Sequence, residues 1–409
     1  MAGPLTGIRV LELGSFIAGP FAGQLLADYG AEVIKIETPA GGDPMRHWGV
    51  THGGQSLWWP AIARNKKSVT VDLRTERGQA IVRSIAENCD IVLENFRPGT
   101  LKEWGLDYDT ISALAPGIIH VHVSGYGQTG PKADQAGFGS VAEAVGGIRY
   151  TTGSPDRPPA RCGISLGDAL AGLFAVIGAL AAVTERQTSG RGQEVDIAIY
   201  EAVLALMESL VADYAVAGVE RMRSGPVLPG VAPSNVYPTA DGKDIVIAAN
   251  ADSVFQRLMS VIGTPELAKD DAFATHAMRG SNATKLDELI SRWTAQHTSA
   301  ELLDLLSGNG VPAGLINTAA TMLQDEHFAA REMILWHESD DFGRFPMNGI
   351  VPKFSRTAGR VDALGPALGV HTDQVLKDLA GLDQAEIAQL RVDGVLGDQA
   401  APVPPEKVT

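Results

Sequence analysis

The sequence is short of cysteine and of positive charge, and each shortage argues against a class of protein. Its 409 residues include two cysteines, Cys89 and Cys162, and neither belongs to a C-x-x-C pair. A disulfide framework or a cysteine-based zinc site is therefore not expected. The 33 Lys and Arg residues face 48 Asp and Glu residues, which gives a formal net charge of -15 and leaves no long basic run. This balance disfavours nucleic acid and anionic membranes as partners, but a local basic pocket can still bind an anionic small ligand.

Several motifs of known chemistry are missing as well. The nine histidines form no HExxH or other close metal pattern, and the chain has neither a GxSxG nucleophile turn nor a P-loop. His120 and His122, in the apolar run IIHVHV, are expected to be packed or hydrogen-bonded rather than to bind a metal. The glycine-rich turn GSFIAGP (14–20) lacks the GxGxxG spacing of nicotinamide enzymes, so Glu37 is not interpreted as a ribose-binding acid. The first ten residues lack a secretory pattern, and we expect a reduced, cytoplasmic protein.

One apolar stretch raises the question of a membrane span. Residues 163–183 read GISLGDALAGLFAVIGALAAV and contain four glycines and a single charge, Asp168. A charge at mid-bilayer costs at least ~2.5 kcal/mol on insertion scales, so a buried helix of a soluble core is the preferred interpretation. At the start of that helix Asp168 is either an N-cap or, if it opens onto a cleft, a candidate nucleophile.

Apolar strands alternate with helical patterns over the first 200 residues. The predicted strands are 8–13, 31–37, 68–73, 90–95, 118–125 and 194–199. This alternation predicts an α/β fold with a parallel sheet covered by helices. After a helical pattern at 200–216, the segment 219–235 is rich in Gly and Pro, which is typical of a linker or loop. A smaller second region follows at about 225–330.

Basic residues follow two of the predicted strands. Arg74 comes directly after the third strand, and Arg97 and Lys102 come after the fourth. Ligands of open α/β sheets bind beyond the carboxyl ends of the strands, so these positions suit an anionic ligand. Taken singly, each is more simply interpreted as a solvated surface charge.

A series of longer motifs resembles the class III CoA-transferases, the CaiB/BaiF family named for carnitine and bile-acid CoA transfer, which includes formyl-CoA transferases. The similarity runs nearly from end to end and keeps the family's order. The motifs are VLELGSFIAGPFAGQLLADYGAEVIKIE, GGDPMRHWG, NKKSVTVDL, ENFRPG, SGYGQTGP, GISLGDALAGLFAVIGALAA, GRGQEVDIAIYEA and ALGVHTDQVL.

The resemblance implies functions for particular residues. The family nucleophile falls on Asp168, whose carboxylate attacks an acyl-CoA thioester and passes CoA to an acceptor acid through aspartyl anhydrides and an aspartyl-CoA thioester, without a metal or prosthetic group. Succinyl-CoA is the expected donor and a small dicarboxylate the expected acceptor, whose distal carboxylate Arg46 and Arg161 are predicted to hold. The predicted CoA-binding residues are Ala18, Val71, Asp72, Leu73, Arg74, Asn95, Phe96, Arg97, Lys102, Gln135, Ala136, Gly137 and Phe138.

The resemblance also implies an architecture. It predicts a Rossmann-like large domain built from both chain ends, a smaller inserted α+β domain and an interlocked homodimer. The expected segments are a large-domain part at 1–200, a linker helix at 201–224, the small domain at 225–330, a linker with the rest of the large domain at 331–400 and a disordered tail at 401–409.

Two features depart from the family pattern. Some members have a mobile glycine-run loop over the catalytic Asp, whereas the matching segment here reads GPVLPGVAPSN, so gating by such a loop is not expected to carry over directly. Many members have an acid after the Phe of the AGF segment, where this chain has Gly139. Any role of that acid is either absent here or supplied by another residue.

Two other functions are weighed against CoA transfer. Acyl-CoA racemases of the same fold carry a His-Asp pair where this chain has Gly137-Phe138-Gly139, so the two bases that proton transfer needs are absent. A non-catalytic acyl-CoA-binding protein would tolerate the loss of Asp168, which is present here in its full sequence context. Both are less favoured than CoA transfer.

Overall fold

The structure is a computed structural model that describes residues 3–398. The tail expected at 401–409 lies outside the described residues. Within the described part the chain forms two compact units. The first contains residues 3–148, 162–209 and 330–398, and the second contains Arg149–Arg161 and Leu210–Ala329.

Strands and helices alternate along much of the chain. The strands are β1 Arg9–Glu12, β2 Glu32–Glu37, β3 Thr51–His52, β4 Gln55–Ser56, β5 Lys66–Thr70, β6 Ile91–Glu94, β7 Ile119–Ser124, β8 Glu194–Ala198, β9 Ser234–Pro238, β10 Asp244–Ala248, β11 Ala313–Leu315, β12 Ile334–Ser339 and β13 Gly343–Asn348. The helices are α1 Ala18–Asp28, α2 Trp59–Ile62, α3 Glu76–Ala86, α4 Thr100–Glu103, α5 Tyr108–Leu114, α6 Gly139–Val145, α7 Ile148–Thr151, α8 Leu166–Ser189, α9 Ile199–Leu204, α10 Leu210–Ala217, α11 Asp252–Ile262, α12 His276–Ser281, α13 Ala283–Thr294, α14 Ser299–Gly308, α15 Ala319–Met322, α16 Glu326–Ala330, α17 Thr372–Ala380 and α18 Gln384–Val392.

A parallel sheet organises the first unit. Its described strands lie in the order β5-β2-β1-β6-β7-β8, and every neighbouring pair is parallel. Numbered along the chain this order is 3-2-1-4-5-6, which is that of doubly wound dinucleotide-binding folds. The predicted α/β fold with a parallel sheet is therefore observed.

Apolar layers cover both faces of this sheet. Val10 belongs to the layer under α1 and α8, whereas its neighbour Leu11 belongs to the layer under α3 and α17, because successive side chains of a strand point to opposite faces. The backbone N–H of Thr70 in β5 donates to the Thr372 hydroxyl at the start of α17, 3.0 Å away. This bond ties the late segment of the chain to the sheet edge.

Helix α8 contains most of the apolar run at 163–183. By length and composition alone it could cross a membrane, but the core helix of a soluble protein passes the same test. Ala171 and Ala175 are buried against the sheet, whereas Leu173 and Ile177 are 45% and 61% exposed. The helix is therefore part of the core of the first unit and keeps one apolar face uncovered in the single chain.

The second unit is smaller and combines an antiparallel sheet with helices. Its strands lie in the order β11-β10-β9, and side chains of α11, α13 and α14 close its core. The boundaries differ from those expected, because Arg149–Arg161 and residues 210–224 belong to this unit. Long-range hydrogen bonds join residues 149–161 to this unit: the Gly225 N–H donates to the Gly153 carbonyl at 2.9 Å, and Arg223 donates to the Tyr150 carbonyl.

The prediction of one continuous linker helix at 201–224 is wrong. The structure has α9 and α10 instead, separated by turns at 205–209, and no helix at 218–224. Glu208 adopts a φ of 53° and Gly218 a φ of 66°, and left-handed residues interrupt the ladder of helical hydrogen bonds.

Candidate active site

The carboxyl ends of β1 and β6 lie side by side where the strand order reverses. In open α/β sheets the crevice outside this switch point is where ligands bind. The turn at 14–17, the first part of the segment GSFIAGP, follows β1, and the predicted CoA-binding residues Asn95–Arg97 follow β6. Two sequence segments far apart in the chain thus meet at the position that this fold uses for ligands.

Asn95 clamps the turn that follows β1. Its Oδ1 accepts from the Ser15 N–H and its Nδ2 donates to the Ser15 carbonyl, both at 2.8 Å. A Cβ added to Gly14 would lie 2.5 Å from the same Oδ1, so a side chain at 14 would displace the Asn95 amide from this position. Phe16 has a φ of 63°, a conformation that non-glycine residues rarely adopt without support. The side chain of Asn95 therefore shapes the turn, in addition to any contact with CoA.

A buried ionic cluster, formed by Glu12, Lys35, Asp43 and Lys66, lies beneath this turn. Glu12 accepts from Lys35 at 2.9 Å and from Lys66 at 2.8 Å, and Lys35 lies 2.8 Å from Asp43. The Lys35 ammonium also donates to the Gly14 carbonyl at the start of the turn, and the Lys66 ammonium donates to the Pro20 carbonyl in the first turn of α1. Burial opposes ionisation of Glu12, yet the two lysines outweigh it and hold the pKa of its carboxyl below the usual value.

Sequence reasoning missed this cluster, although a signal was present. Glu12 follows the apolar pair Val10-Leu11 in β1, and Lys35 lies between Ile34 and Ile36 in β2, positions at which a charged side chain is unusual because they are buried. The register of the sheet sets Glu12 directly beside Lys35. The pairing cannot be read from one strand alone, because it depends on which strands are neighbours.

The predicted CoA-binding cations lie on the same edge of the sheet. Arg74 follows β5 and is exposed, and its guanidinium pairs with Asp72, holding the pKa of that carboxyl below its usual value. Arg97 and Lys102 are exposed beyond β6. Val71 is buried directly after β5, and Ala18 is buried at the first position of α1. Leu73 and Phe96 are partly buried and pack against the core.

A polar cavity of about 190 Å³ opens between β6 and β7, and Arg97 and Lys102 contribute to its lining. Glu94 and Glu194 approach the two ring nitrogens of His122 at 2.6 and 3.2 Å. Burial acts to lower the pKa of His122, but the two carboxylates outweigh it and raise that pKa. These acids were not singled out from the sequence, because residues 94, 122 and 194 meet only through strand pairing.

His120 stacks on His122 with ring centroids 4.2 Å apart. Its side chain is fully buried, and burial followed by the nearby charge of His122 lowers its pKa well below the usual value. The expectation that these two histidines are packed or hydrogen-bonded is confirmed.

The loop with the remaining predicted CoA contacts lies on the end of β7. Gly125 follows that strand, and a Cβ added to Gly137 would lie 2.8 Å from the Gly125 Cα, so the two backbones are in close contact. Gln135, Ala136 and Phe138 are exposed beside this contact, Phe138 by 69%. The loop therefore joins the edge formed by the other predicted CoA-binding residues.

Asp168 is the third residue of α8, in its first turn. The free N–H groups and the dipole of a helix N-terminus stabilise a carboxylate there. The side chain is half-buried and lies against Gly139, the first residue of α6. A Cβ added to Gly139 would lie 2.6 Å from the Asp168 Cγ and would overlap one of its oxygens. Glycine at 139 is thus a condition for the observed position of the Asp168 carboxylate.

One turn further along α8, Gly172 lies on the same helix face as Asp168. A Cβ added there would lie 3.0 Å from the Ala18 carbonyl and 2.9 Å from the Phe21 ring. Glycine therefore lets this face of α8 pack closely on the start of α1. The contact brings the first turn of α8 next to the turn at the switch point, so Asp168 and the predicted CoA-binding edge share one region of the first unit.

The two arginines expected to bind the acceptor are in different settings. Arg46 donates to both carboxylate oxygens of Glu37 at 2.8 Å, and its guanidinium lies 3.8 Å from the Trp59 ring. Its bidentate face is occupied within the protein, which does not favour a role in holding an acceptor. Arg161 is an exposed residue of the second unit.

Among residues 3–398, no three His, Cys, Asp or Glu side chains are grouped so that they could hold a metal ion. Cys89 and Cys162 are both free thiols.

Comparison with known proteins identifies the family. The model of CoA-transferase family III matches residues 5–372. A succinyl-CoA–D-citramalate CoA-transferase of Chloroflexus aurantiacus is 56% identical over 394 residues, which cover 96% of this chain and 98% of that protein. The alpha subunit of a succinyl-CoA–L-malate CoA-transferase of the same species is 39% identical over 391 residues, 95% of this chain and 91% of that protein.

Solved structures give the same result. A CAIB/BAIF family protein from Brucella suis superposes with a TM-score of 0.81 at 36% identity, and the match covers 93% of this chain and 100% of that chain. The family expected from the motifs is confirmed by this structure and by the family model together. The chain therefore belongs to CoA-transferase family III and is a CoA-transferase.

Proposed function

We propose that this enzyme transfers CoA from succinyl-CoA to a short 2-hydroxy dicarboxylate of the citramalate or malate type, with Asp168 as the covalent carrier. The observation that carries the proposal is the position of Asp168 in the first turn of α8, on the helix face that meets the switch point of the sheet. The names of the 56% and 39% identical relatives support the donor and the class of acceptor.

The reaction runs through four acyl transfers. The Asp168 carboxylate attacks the thioester carbonyl of succinyl-CoA, which forms a mixed anhydride and releases CoA thiolate. The thiolate attacks the aspartyl carbonyl, so succinate leaves and an aspartyl-CoA thioester remains. The acceptor carboxylate then displaces the thiolate to form a second anhydride. The thiolate finally attacks the acceptor's acyl carbonyl and regenerates the Asp168 carboxylate.

The surroundings of Asp168 suit this chemistry. The N-terminus of α8 stabilises the carboxylate and can donate to the oxyanion that develops at each step. Gly139 leaves the carboxylate room and adds no side chain where the thioester must approach. The apolar layer behind α8 excludes water, which would hydrolyse the anhydride.

The CoA moiety belongs to the edge at the carboxyl ends of β5, β1, β6 and β7. There the exposed cations Arg74, Arg97 and Lys102 can pair with phosphate on a chain whose net charge is -15. Ala18, Asn95 and the loop at 135–138 line the same edge. Their roles in binding CoA form part of the proposal.

We also propose a cytoplasmic homodimer, interlocked as in the family, that needs no metal or prosthetic group and binds neither nucleic acid nor membranes. Exposed apolar faces support the dimer. Leu173 and Ile177 of α8 are uncovered in the first unit, and in the second unit α10 has no buried residue, with Val211 and Tyr214 63% and 64% exposed.

The proposal is tested by a panel of acids offered with succinyl-CoA, with products identified by mass. D-citramalate, L-malate, glutarate, acetate and benzoate separate the classes, and the Asp168→Asn protein is the control. We expect CoA esters of the hydroxy dicarboxylates, and kcat/KM at least about 100-fold lower for acetate and benzoate, which lack a distal carboxylate. Transfer only to monocarboxylic or aromatic acids would overturn the assignment of the acceptor.

A further inference from the structure

Glu143 is a buried acid close to the nucleophile that the reaction described above does not use. It lies on α6, one helical turn after Gly139, and only 1% of its surface is exposed. Residues four apart lie on one face of a helix, so Glu143 and Gly139 both face the start of α8. Gly139 contacts Asp168, and Glu143 contacts the residue before it, Gly167.

The first turn of α8 has no cap from its own sequence. Ser165 occupies the N-cap position, but its side chain makes no capping hydrogen bond. The Gly167 N–H donates to Oε1 of Glu143 at 3.4 Å, from a residue 24 positions earlier in the chain. A Cβ added to Gly167 would lie 3.2 Å from the Glu143 Cγ, so the absence of a side chain at 167 lets the two approach. A carboxylate that accepts from a first-turn N–H performs the function of an N-cap.

Glu143 and Asp168 differ in burial, and this difference indicates different roles. Asp168 is half-buried and lies on the face of α8 that meets the switch point, whereas Glu143 is enclosed between α6 and the start of α8. A thioester can reach the first carboxylate and is kept from the second. A carboxylate also accepts hydrogen bonds without donating them, which suits it to hold backbone N–H groups.

We propose that Glu143 is a positioning residue for the nucleophile: it caps the first turn of α8 from α6 and thereby fixes the Asp168 carboxylate against Gly139. The inference rests on the proposed function, because it assigns to Glu143 a role in the covalent step at Asp168. Many family members have an acid at the position of Gly139. In this chain Glu143, one helical turn later, is the acid that lies close to the nucleophile.

The test compares Glu143→Gln, Glu143→Asp and Glu143→Ala with wild type. Gln keeps an oxygen acceptor at the same reach, Asp withdraws it by one methylene, and Ala removes it. The control is Glu185→Ala, an exposed glutamate near the other end of α8. For each protein, single-turnover acylation of Asp168 by succinyl-CoA is followed by hydroxylamine trapping and mass spectrometry. The Kd for CoA and the urea midpoint of unfolding are measured in parallel.

We expect Glu143→Ala and Glu143→Asp to lower the acylation rate and kcat by about 30- to 100-fold, because a displacement of about 1 Å in a reacting group has effects of this size. Their Kd for CoA should stay within about twofold of wild type. Glu143→Gln and the control should stay within about threefold in rate. A near-normal rate in Glu143→Gln, and a slow rate with a normal Kd for CoA in the other two variants, would distinguish positioning from a general loss of structure.

Three results would overturn the inference. The first is a normal acylation rate in both Glu143→Ala and Glu143→Asp. The second is a loss in Glu143→Gln as large as that in Glu143→Ala, which would mean that the charge matters rather than the acceptor. The third is an equal loss of CoA affinity in the slow variants. If wild type itself gives neither trapped Asp168 nor transfer, the proposed function has failed, which is a different outcome.

Discussion

At the scale of single residues, glycine next to Asp168 leaves the space that the proposed nucleophile occupies. Asp168 could be assigned as the nucleophile through the resemblance to the class III CoA-transferases, because the apolar pattern around it fits an N-cap equally well. Its contact with Gly139 could not, because nothing in the sequence says which residue 29 positions away meets it. The observed overlap of a Cβ at 139 with the carboxylate turns that glycine into a testable requirement.

Gly139→Ala should lower kcat by about 100-fold, because the added Cβ displaces the Asp168 carboxylate from its position. The Kd for CoA should change by less than about threefold, since the predicted contacts at the strand ends are untouched. Steady-state kinetics and equilibrium binding check both numbers. The matched control is Gly308→Ala, at the end of α14, where an added Cβ meets no atom within 4 Å. Normal turnover in Gly139→Ala would show that Asp168 does not need its observed position.

The buried His120 gives a pH dependence of stability with a defined sign. Burial, followed by the charge of His122, lowers the pKa of His120 well below the usual value, whereas the unfolded imidazole titrates near pH 6.5. Below about pH 6.5 the unfolded state therefore binds more protons at this site, and the free energy of unfolding falls as the pH falls. His122, held between Glu94 and Glu194, acts in the opposite sense, because its pKa is raised.

Replacing His120 by Leu removes the contribution of this side chain to the pH dependence of the free energy of unfolding. Urea unfolding of wild type and of His120→Leu at pH 5.5 and pH 8 gives the difference in unfolding free energy at each pH. Any destabilisation by the substitution should be smaller at pH 5.5 than at pH 8, because the variant lacks the proton uptake on unfolding. An equal or larger destabilisation at pH 5.5 would contradict the lowered pKa.

At the scale of elements, strand and helix order was predictable and long-range pairing was not. The strand predicted at 90–95 is observed as β6, and that predicted at 118–125 as β7, because apolar runs with flanking turns are clear signals. The strand predicted at 68–73 is observed as β5 at Lys66–Thr70, so the predicted bounds are wrong at both ends. Its start was missed because a lysine in a fully buried position is not expected from the pattern alone. Lys66 is accommodated there because the fold brings Glu12 to it.

Two adjacent lysines of β5 allow the contribution of that buried cluster to the free energy of unfolding to be measured. Lys66 pairs with Glu12 with both side chains fully buried, whereas Lys67 pairs with Glu32 with both about one-third exposed. Lys66→Met should lower the free energy of unfolding by about 3 kcal/mol, because it leaves one excess negative charge in the buried cluster and removes the hydrogen bond to the Pro20 carbonyl. Lys67→Met should change it by less than about 1 kcal/mol. Urea unfolding at neutral pH measures both, and equal effects would contradict the account of the cluster.

At the scale of the whole molecule, α8 and α10 each leave an apolar face uncovered in the single chain. Exposed apolar patches of this kind mark interaction surfaces in soluble proteins. The motifs implied a homodimer, and the uncovered residues of α8 and α10 suit one. The exact division of the chain was not predictable, because residues 149–161 join the second unit through contacts with residues more than 60 positions later.

Sedimentation equilibrium should give about twice the chain mass of 43.0 kDa at micromolar concentration. Ile177→Glu, on the uncovered face of α8, should weaken this association, since it places a charge in an apolar contact. Val392→Glu is the matched control, because Val392 is 81% exposed at the end of α18, outside both faces. A stable wild-type monomer would remove the proposed assembly.

The central claim is that Asp168 becomes covalently acylated, and trapping tests it most directly. Wild type and Asp168→Asn are incubated with succinyl-CoA and then hydroxylamine, and the digested peptides are weighed by mass spectrometry. The account predicts an aspartyl hydroxamate at Asp168 in wild type only, together with loss of transfer in Asp168→Asn while CoA still binds. Undiminished transfer by pure Asp168→Asn, with no reversion of the amide to Asp, would show that Asp168 only caps α8.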